Sequence, residues 1–337
     1  MVKVVVIGSA NMDTTHKLRG DFPDELTQES LNEIESTARV LGGKGFNQAR
    51  AIKLQNPNAQ VSFIGCIGKD EEGIKVLEEM QSVGIDYAGV NVLDGFRTDG
   101  RIITVNDKGE NRMIGYGDCV KQLKPEMIDL SILDQADLVA IQMKMPEETV
   151  RFIIEYCEMH EKALVIDPTP QENSSLLVNG VEELINKVAY LTPNEEEAFA
   201  LIGYIQGKTI KEIKEEFKNT DRKTRLEQIK QLVKRYPNII ATIGDEGVIY
   251  NNGRRVVRKE TYPTECIDST GAGDTFNGGF VGALARGEDL KSAIKFGLMA
   301  SSMKVRYRGA QNGVPTYEEV KKAIKEYDEK NNEIDEE

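Results

Sequence analysis

The sequence predicts an α/β fold in which helices flank a doubly wound, mostly parallel central sheet, with a small β-sheet lid. The main sheet is predicted because short apolar runs alternate with longer helical patterns over most of the 337 residues. Several of these runs are continuously apolar, as in parallel strands that are covered on both faces. The lid is predicted at residues 12–40 and 97–117, where short strands and turns occur without long helices between them.

The predicted strands begin at the N terminus with the apolar run Val4 to Ile7. That run is much too short for a signal segment or a membrane span, so it is expected to form a buried first strand. Strand-like runs occur at Lys3–Ile7, Val61–Gly65, Arg101–Val105, Leu138–Gln142, Ala163–Ile166, Val188–Leu191 and Ile239–Ile243.

Helical patterns lie between these strands and complete one domain over residues 1–328. Residues 206–225 are dense in Lys and Glu, which predicts a solvated helical surface. Residues 329–337 are acidic and almost without apolar side chains, which predicts a disordered tail. Helices are expected at Gly45–Lys53, Asp70–Val83, Glu147–Glu161, Asn194–Ile202, Leu226–Arg235, Asp274–Ala285, Leu290–Met303 and Tyr317–Asp328.

The composition disfavours several classes of protein. A formal charge of −13 is unfavourable for binding to a phosphate backbone, so no nucleic-acid partner is expected. The four cysteines are far apart and there are only two histidines, which indicates neither a zinc site nor a disulfide framework. No apolar run is long enough to cross a membrane, and a cytoplasmic protein with reduced cysteines is expected.

The run from Thr270 to Asp274 carries most of the predicted chemistry. Gly271, Ala272 and Gly273 allow successive N–H groups to point into one concavity, and the helix that follows adds its N terminus to this anion site. A phosphate would repel a carboxylate beside such a cradle, so Asp274 is interpreted as a general base that removes a proton from an acceptor hydroxyl. An Asp that only complements the helix dipole is the alternative.

Two further segments suit a polyol ligand. Gly43 lies in a glycine-rich run that permits close approach of a ligand, and Asn47 in the next helix offers both a donor and an acceptor. Asn11 and Asp13 follow the first strand and project to the same side of an extended chain. The alternative for the Gly43 run is a generic glycine turn, and the alternative for Asn11 and Asp13 is an Asx turn. Neither a P-loop nor a full dinucleotide fingerprint is present.

Together these segments resemble the ribokinase-like (phosphofructokinase B type) carbohydrate kinases, and within that family the ribokinase branch. The resemblance covers residues 2–322 and is strengthened by the segments Gly65–Asp70, Leu191–Ala198, Thr242–Gly247 and Gly309–Pro315. It implies ATP-dependent phosphorylation of a sugar hydroxyl, with ribose converted to ribose 5-phosphate as the first expectation. It also implies Mg²⁺, a monovalent cation (K⁺) and a homodimer formed through the lid.

The resemblance also implies a role for each matching residue. The base would be Asp274, and the anion hole would be Gly271, Ala272 and Gly273. The sugar would be held by Asn11, Asp13, Gly43, Lys44 and Asn47. The ATP site would include Asn194, Thr242, Gly244 and Gly247. Mg²⁺ would be organised by Glu197 through water, although Asn194 and Glu197 also have the spacing of a helix capping box. The monovalent cation would be bound, mostly by backbone carbonyls, at Asp268, Thr270, Lys304, Tyr307, Gly309 and Gly313.

Three positions depart from the family pattern. Lys144 stands where a glutamate usually contacts the sugar, and Arg101 stands where a small residue is typical. Both are therefore placed in the substrate site, where two cations would suit a sugar acid or a sugar phosphate. The alternatives are that both side chains point to solvent or that the alignment slips by one residue, and a neutral pentose remains the favoured acceptor. Leu298 stands where a polar residue near adenine is frequent.

Two other functions are weighed against a sugar kinase. A nucleoside kinase would need stacking for a base, and the absence of Trp disfavours it. A non-catalytic sensor would have no need of Asp274.

Overall fold

The protein is described by a computed structural model that covers residues 1–22, 33–108, 110–169 and 175–335. The predicted α/β fold is confirmed. The strands are β1 (Lys3–Ile7), β2 (Asn11–Leu18), β3 (Ile34–Gly42), β4 (Gln60–Gly68), β5 (Asp86–Leu93), β6 (Gly100–Val105), β7 (Asn111–Tyr116), β8 (Leu138–Gln142), β9 (Ala163–Asp167), β10 (Tyr190–Leu191), β11 (Ala241–Thr242), β12 (Val248–Asn251) and β13 (Val256–Lys259). The helices are α1 (Lys44–Gln55), α2 (Glu71–Ser82), α3 (Leu130–Asp134), α4 (Glu147–Met159), α5 (Ser175–Lys187), α6 (Glu195–Ile205), α7 (Ile210–Asn219), α8 (Arg222–Arg235), α9 (Ala272–Ala285), α10 (Leu290–Lys304) and α11 (Tyr317–Asp335).

The central sheet has six strands in the order β10-β9-β8-β1-β4-β5, and every neighbouring pair is parallel. The continuously apolar β1 lies in the middle, because both of its faces are covered. Val5 and Ile7 pack into one hydrophobic core, which also contains residues of α4, α5 and α6. Val4 and Val6 pack into a second core on the opposite face, formed with α1, α9 and α10.

A separate four-stranded sheet, in the order β3-β2-β6-β7, forms at the segments predicted for the lid. The strand β2 pairs antiparallel with β3 and parallel with β6, and β6 pairs antiparallel with β7. Residues 23–32 of the first predicted lid segment lie outside the described residues. A further small antiparallel sheet contains β11, β12 and β13, and parallel bridges from Leu191 to Ile239 and from Asn194 to Thr242 connect its first segment to the region of β10.

The structure differs from the sequence prediction at several elements. The strands β5, β12 and β13 and the helices α3 and α5 were not predicted. The charged segment 206–225 contains α7, which is amphipathic and buries Ile213. The helix α11 continues to Asp335 through most of the tail that was expected to be disordered. Lys–Glu pairs spaced four residues apart, such as Lys325 and Glu329, favour that continuation.

The topology places the site at the edge of the sheet where the parallel strands end. Strand order reverses at β1, whose neighbours are β4 and β8, and a crevice outside the carboxyl ends of the strands forms at such a point. Four polar side chains follow or end these strands: Asn11 and Asp13 after β1, Lys144 after β8, and Asp167 at the end of β9. The helices α1 and α9 pack against each other beside them.

Candidate active site

The glycine cradle of the sequence motif forms the start of α9. Gly271 precedes the helix with a left-handed φ of 77°. A Cβ atom there would lie 2.5 Å from the backbone oxygen of Ala310, so only glycine fits. A Cβ atom at Gly273 would meet nothing within 4 Å, which shows that the cradle is open on that side. The first N–H groups of a helix have no intrahelical partner, so this end of α9 can accept an anion.

Asp274 lies in the first turn of α9, and two side chains of α1 donate to its two oxygens. The Asn47 amide lies 2.9 Å from one oxygen and the Gln48 amide lies 3.2 Å from the other. Burial raises the pKa of Asp274 to about 6, and the charge of Asp167 adds to this rise. The charge of Lys44 and the two amide donors act in the opposite direction. The carboxylate is therefore oriented, ionised at neutral pH and more basic than an exposed Asp.

A largely buried network of charges surrounds Asp274. The Lys44 ammonium donates to both oxygens of Asp167, at 3.0 and 3.1 Å, and to Glu197 at 3.4 Å. Burial lowers the pKa of Lys44, but the charges of Asp167 and Glu197 more than offset that effect and raise it overall. Burial and the nearby Asp167 raise the pKa of Glu197 to about 7. Lys44 thus joins α1 to β9 and α6 through carboxylates.

Sequence reasoning missed two members of the network, Asp167 and Gln48. Asp167 is only 4% exposed, and the Gln48 amide donates to it at 2.7 Å while also contacting Asp274. A signal for Asp167 was present, because it is a carboxylate directly at the carboxyl end of an apolar parallel strand. Gln311, which lies in the family segment Gly309–Pro315, donates to Asn47 at 3.3 Å. It therefore supports the side chain that orients Asp274.

The expected sugar ligands Asn11 and Asp13 lie together at the start of β2. One side-chain oxygen of each is buried without a hydrogen-bond partner, which is a costly arrangement unless a ligand supplies the donors. Gly43, which precedes α1, has a φ of 91°, and a Cβ atom there would lie 2.6 Å from the backbone oxygen of Ser9. The chain can therefore approach β1 closely only with glycine at this position.

Arg101 and Lys144 both lie near Asp13. Arg101 is the direct partner of Asp13 across the β2–β6 pair. Burial raises the pKa of Asp13, whereas the charges of Arg101 and Lys144 lower it. Burial, Arg101 and Lys44 together lower the pKa of Lys144. Within the described residues neither the Arg101 guanidinium nor the Lys144 ammonium forms a salt bridge, so the site holds two unpaired cations.

The residues expected at the nucleotide form a second group. Asn194 and Glu197 make the reciprocal capping box, with nitrogen–oxygen distances of 2.8 and 2.9 Å. Thr242 is bridged to Asn194, and Gly244 and Gly247 have φ values of 66° and 93° in the turn that follows. Glu197 of this group accepts from Lys44 at 3.4 Å, and the charge of Lys44 acts on Asp274. Leu298 is 3% exposed and belongs to the core.

The residues expected at the monovalent cation also lie together. The Asp268 carboxylate accepts from the N–H groups of Thr270 at 2.9 Å and Gly309 at 2.7 Å. Burial would raise the pKa of Asp268, but these hydrogen bonds and the charge of Lys304 lower it overall. The side chain of Lys304, and not only its backbone, faces this loop, and burial lowers its pKa. A Cβ atom at Gly313 would overlap the Tyr307 ring.

Neither a cluster of metal-ligating side chains nor a membrane-spanning helix occurs among the described residues. No group of three or more His, Cys, Asp or Glu side chains there could hold a metal ion. None of the helices described is long and apolar enough to cross a membrane.

Comparisons with known proteins agree with this geometry. The model of the pfkB family of carbohydrate kinases matches residues 1–317. The chain is 30% identical to the ribokinase of Bacillus subtilis, over 96% of this chain and 100% of that protein. It is 31% identical to the ribokinase of Lactococcus lactis, over 97% of this chain and 98% of that protein.

A solved structure gives the same result. The crystal structure of ribokinase from Thermotoga maritima matches with a TM-score of 0.79 and 29% identity, over 96% of this chain and 99% of that chain. The resemblance inferred from the sequence motifs is thereby confirmed. The chain belongs to the pfkB family of carbohydrate kinases.

Proposed function

We propose that this carbohydrate kinase transfers the γ-phosphoryl group of ATP to a hydroxyl of ribose, giving ribose 5-phosphate. The observation that carries the proposal is Asp274, an oriented carboxylate with a raised pKa of about 6 beside an open helix N terminus. The names of the relatives from Bacillus subtilis and Lactococcus lactis support ribose as the acceptor.

In this proposal Asp274 is the general base. Asn47 and Gln48 hold its two oxygens, so little reorientation is needed when the acceptor binds. The acceptor hydroxyl transfers its proton to the carboxylate as its oxygen bonds to the γ-phosphorus, and the bond from that phosphorus to the leaving oxygen of ADP breaks. A pKa near 6 suits this step, because the group is ionised at neutral pH and still basic.

The glycine cradle supplies the stabilisation of charge. Gly271 and Gly273 would present N–H groups at the positive end of the α9 dipole, where the transferring phosphoryl group would lie, whereas the N–H of Ala272 donates to the Ser269 carbonyl at 3.0 Å. The nucleotide is proposed to bind beside Asn194, Thr242, Gly244 and Gly247. On the acceptor side, the unpaired oxygens of Asn11 and Asp13 would accept hydrogen bonds from sugar hydroxyls, and Lys44 and Asn47 border the same space.

We place Glu197 near Mg²⁺, as an acceptor for the water of the ion. Both of its oxygens already have protein partners, Lys44 at 3.4 Å and the Asn194 N–H at 2.9 Å, so direct coordination is disfavoured and an outer position fits. The ion would neutralise charge on the β- and γ-phosphates.

A second acceptor class is favoured by one observation, the two unpaired cations near Asp13. Burial and the charge of Arg101 lower the pKa of Lys144, so the ammonium is disfavoured at its present position. A carboxylate or phosphate on the acceptor would relieve that repulsion, and the guanidinium is shaped for such a group. A sugar acid or sugar phosphate is therefore the alternative to ribose.

We also propose that two copies of the chain pair through the lid. Ile102 and Ile114 are direct partners across β6 and β7, and they are 38% and 67% exposed. They lie on the face of the lid opposite to that of Arg101, because side chains alternate along a strand. Burying this apolar face against a second copy would remove it from water.

The test measures ADP release with ribose, other pentoses, hexoses, sugar acids, sugar phosphates and nucleosides. Ribose is expected to be the best acceptor, and Asp274→Asn is expected to lower kcat by about 10²–10⁴. Asp289→Asn is the matched control, because Asp289 caps the N terminus of α10 without contacting the site. If Asp274→Asn retains activity as fully as Asp289→Asn, Asp274 only complements the helix dipole and the proposed role is wrong. A sugar acid that outcompetes ribose would instead favour the second acceptor class.

A further inference from the structure

A buried ammonium group occupies the loop where the family resemblance implies a monovalent cation. Lys304 is the last residue of α10, and its side chain has no exposed surface. Its Nζ donates to the backbone oxygen of Asp268 at 3.4 Å and to that of Tyr307 at 3.2 Å. Both of these residues are among those expected to bind the cation through their carbonyls. The ammonium therefore uses acceptors that K⁺ would need.

The charge of Lys304 is balanced within this loop. A buried ammonium is costly unless it is paired and hydrogen-bonded. The Asp268 carboxylate interacts electrostatically with it, and two backbone N–H groups, those of Thr270 and Gly309, hold that carboxylate in place. Lys304 also lies at the C terminus of a helix, where the dipole favours a cation. A second cation in the same loop would share one carboxylate and would be repelled by the first.

The loop that contains these contacts leads directly into the anion hole. Asp268 precedes Gly271 by three residues, and the N–H groups of Ile267 and Asp268 both donate to Val305. Gly271 in turn lies so close to Ala310 that no side chain fits between them. The Lys304 ammonium connects the two sides of this contact, because it bonds to Asp268 on one side and to Tyr307 on the other.

We propose that the Lys304 ammonium takes the place of the monovalent cation in this chain, so that the anion hole is ordered without K⁺. The proposal rests on the proposed function, because the anion hole matters only if the chain transfers a phosphoryl group. The position of the Lys304 ammonium in the loop is a property of the folded chain and does not depend on that function. Ribose kinase activity and thermal stability are both expected to be independent of K⁺.

The test compares KCl with tetramethylammonium chloride at equal ionic strength. The wild-type chain is expected to show the same kcat and the same melting temperature in both salts. Lys304→Met removes the ammonium and leaves the two carbonyls without a donor. In tetramethylammonium this variant is expected to lose about 10²-fold in kcat, the effect typical of a damaged oxyanion site. Saturating KCl is then expected to restore part of the rate and to raise its melting temperature by about 2 °C.

Lys295→Met is the matched control, because Lys295 is on the same helix and pairs with Asp328 away from the site. It is expected to show no response to K⁺. A wild-type chain that is activated or thermally stabilised by K⁺ would overturn the proposal, and so would a Lys304→Met variant that keeps the wild-type rate in tetramethylammonium. If Lys304→Met does not fold, the wild-type comparison alone decides. If no sugar is phosphorylated, the melting temperatures still test Lys304, so the two proposals fail separately.

Discussion

The replacement Asp167→Asn tests the buried network most directly, because it removes one charge and little volume. Asp167 holds Lys44 with two hydrogen bonds and shares the Gln48 amide with Asp274. Its charge is one of the causes of the raised pKa of Asp274. Without that charge the pKa of Asp274 falls. A Lys44 ammonium released toward Asp274 would lower it further, so both effects have the same sign.

The size of the effect follows from the geometry. One oxygen of Asp167 and one of Asp274 accept from the same nitrogen at 2.7 and 3.2 Å, so the oxygens lie within about 6 Å of each other. Two unit charges about 6 Å apart repel by about 3 kcal/mol at an effective dielectric constant of about 20, which corresponds to about two pH units. Because water reaches the half-buried Asp274, we expect a displacement of about one pH unit.

The assay is the pH dependence of kcat/KM, which reports the free enzyme. In the wild-type chain kcat/KM is expected to fall as the pH drops through about 6, where Asp274 becomes protonated. In Asp167→Asn the same fall is expected at lower pH. Stability should fall by about 2 kcal/mol, because Lys44 loses one partner but is still 32% exposed. Asp86→Asn is the control, since Asp86 accepts from Ser62 at the start of an edge strand far from the site. An acid limb that stays in place, or moves to higher pH, in a folded Asp167→Asn variant refutes the reasoning.

Three further predictions concern the acceptor side of the site and the exposed face of the lid. Gly43→Ala should lower the free energy of unfolding by about 2 kcal/mol and raise the KM for ribose, because φ is 91° there; an unchanged melting temperature would contradict this. Lys144→Glu should lower the KM for ribose about tenfold, since it removes the repulsion with Arg101 and adds an acceptor; a raised KM would support an anionic acceptor. Ile114→Lys should convert a dimer to a monomer in sedimentation, whereas Met159→Lys, at a still more exposed position on α4, should not.

The parts of the site that the sequence predicted are those encoded by consecutive residues. The cradle before Asp274 depends on glycine at Gly271 and on the helix that follows, and both are visible in a short motif. The capping box of Asn194 and Glu197 is local for the same reason. The middle strand β1 was also predicted correctly, because a continuously apolar run is the pattern of a strand buried on both faces.

The parts that were missed depend on contacts between distant segments. Asp167 is bonded to Lys44, which is 123 residues away in sequence, and no local pattern reveals that pair. The strand β5 was missed because it lies at the edge of the sheet, half-exposed, and its sequence is interrupted by glycine and polar residues. For Lys304 the family resemblance implied a backbone carbonyl ligand, whereas the direction of its side chain is set by the packing of α10.

The arrangement of charge in the site explains how an acidic protein can hold an anionic nucleotide. At physiological ionic strength, exposed charges are largely screened beyond about 8 Å, so the net charge of −13 has little influence inside the crevice. What acts there is the balance of Lys44 against Asp167, Glu197 and Asp274. Burial and the charge of Asp167 make Asp274 basic, while Lys44 acts in the opposite direction, and the carboxylates beside the cradle would repel phosphate. In the proposed function the α9 N terminus would counter that repulsion with neutral N–H groups, which would stabilise the transferring phosphoryl group without pairing with Asp274.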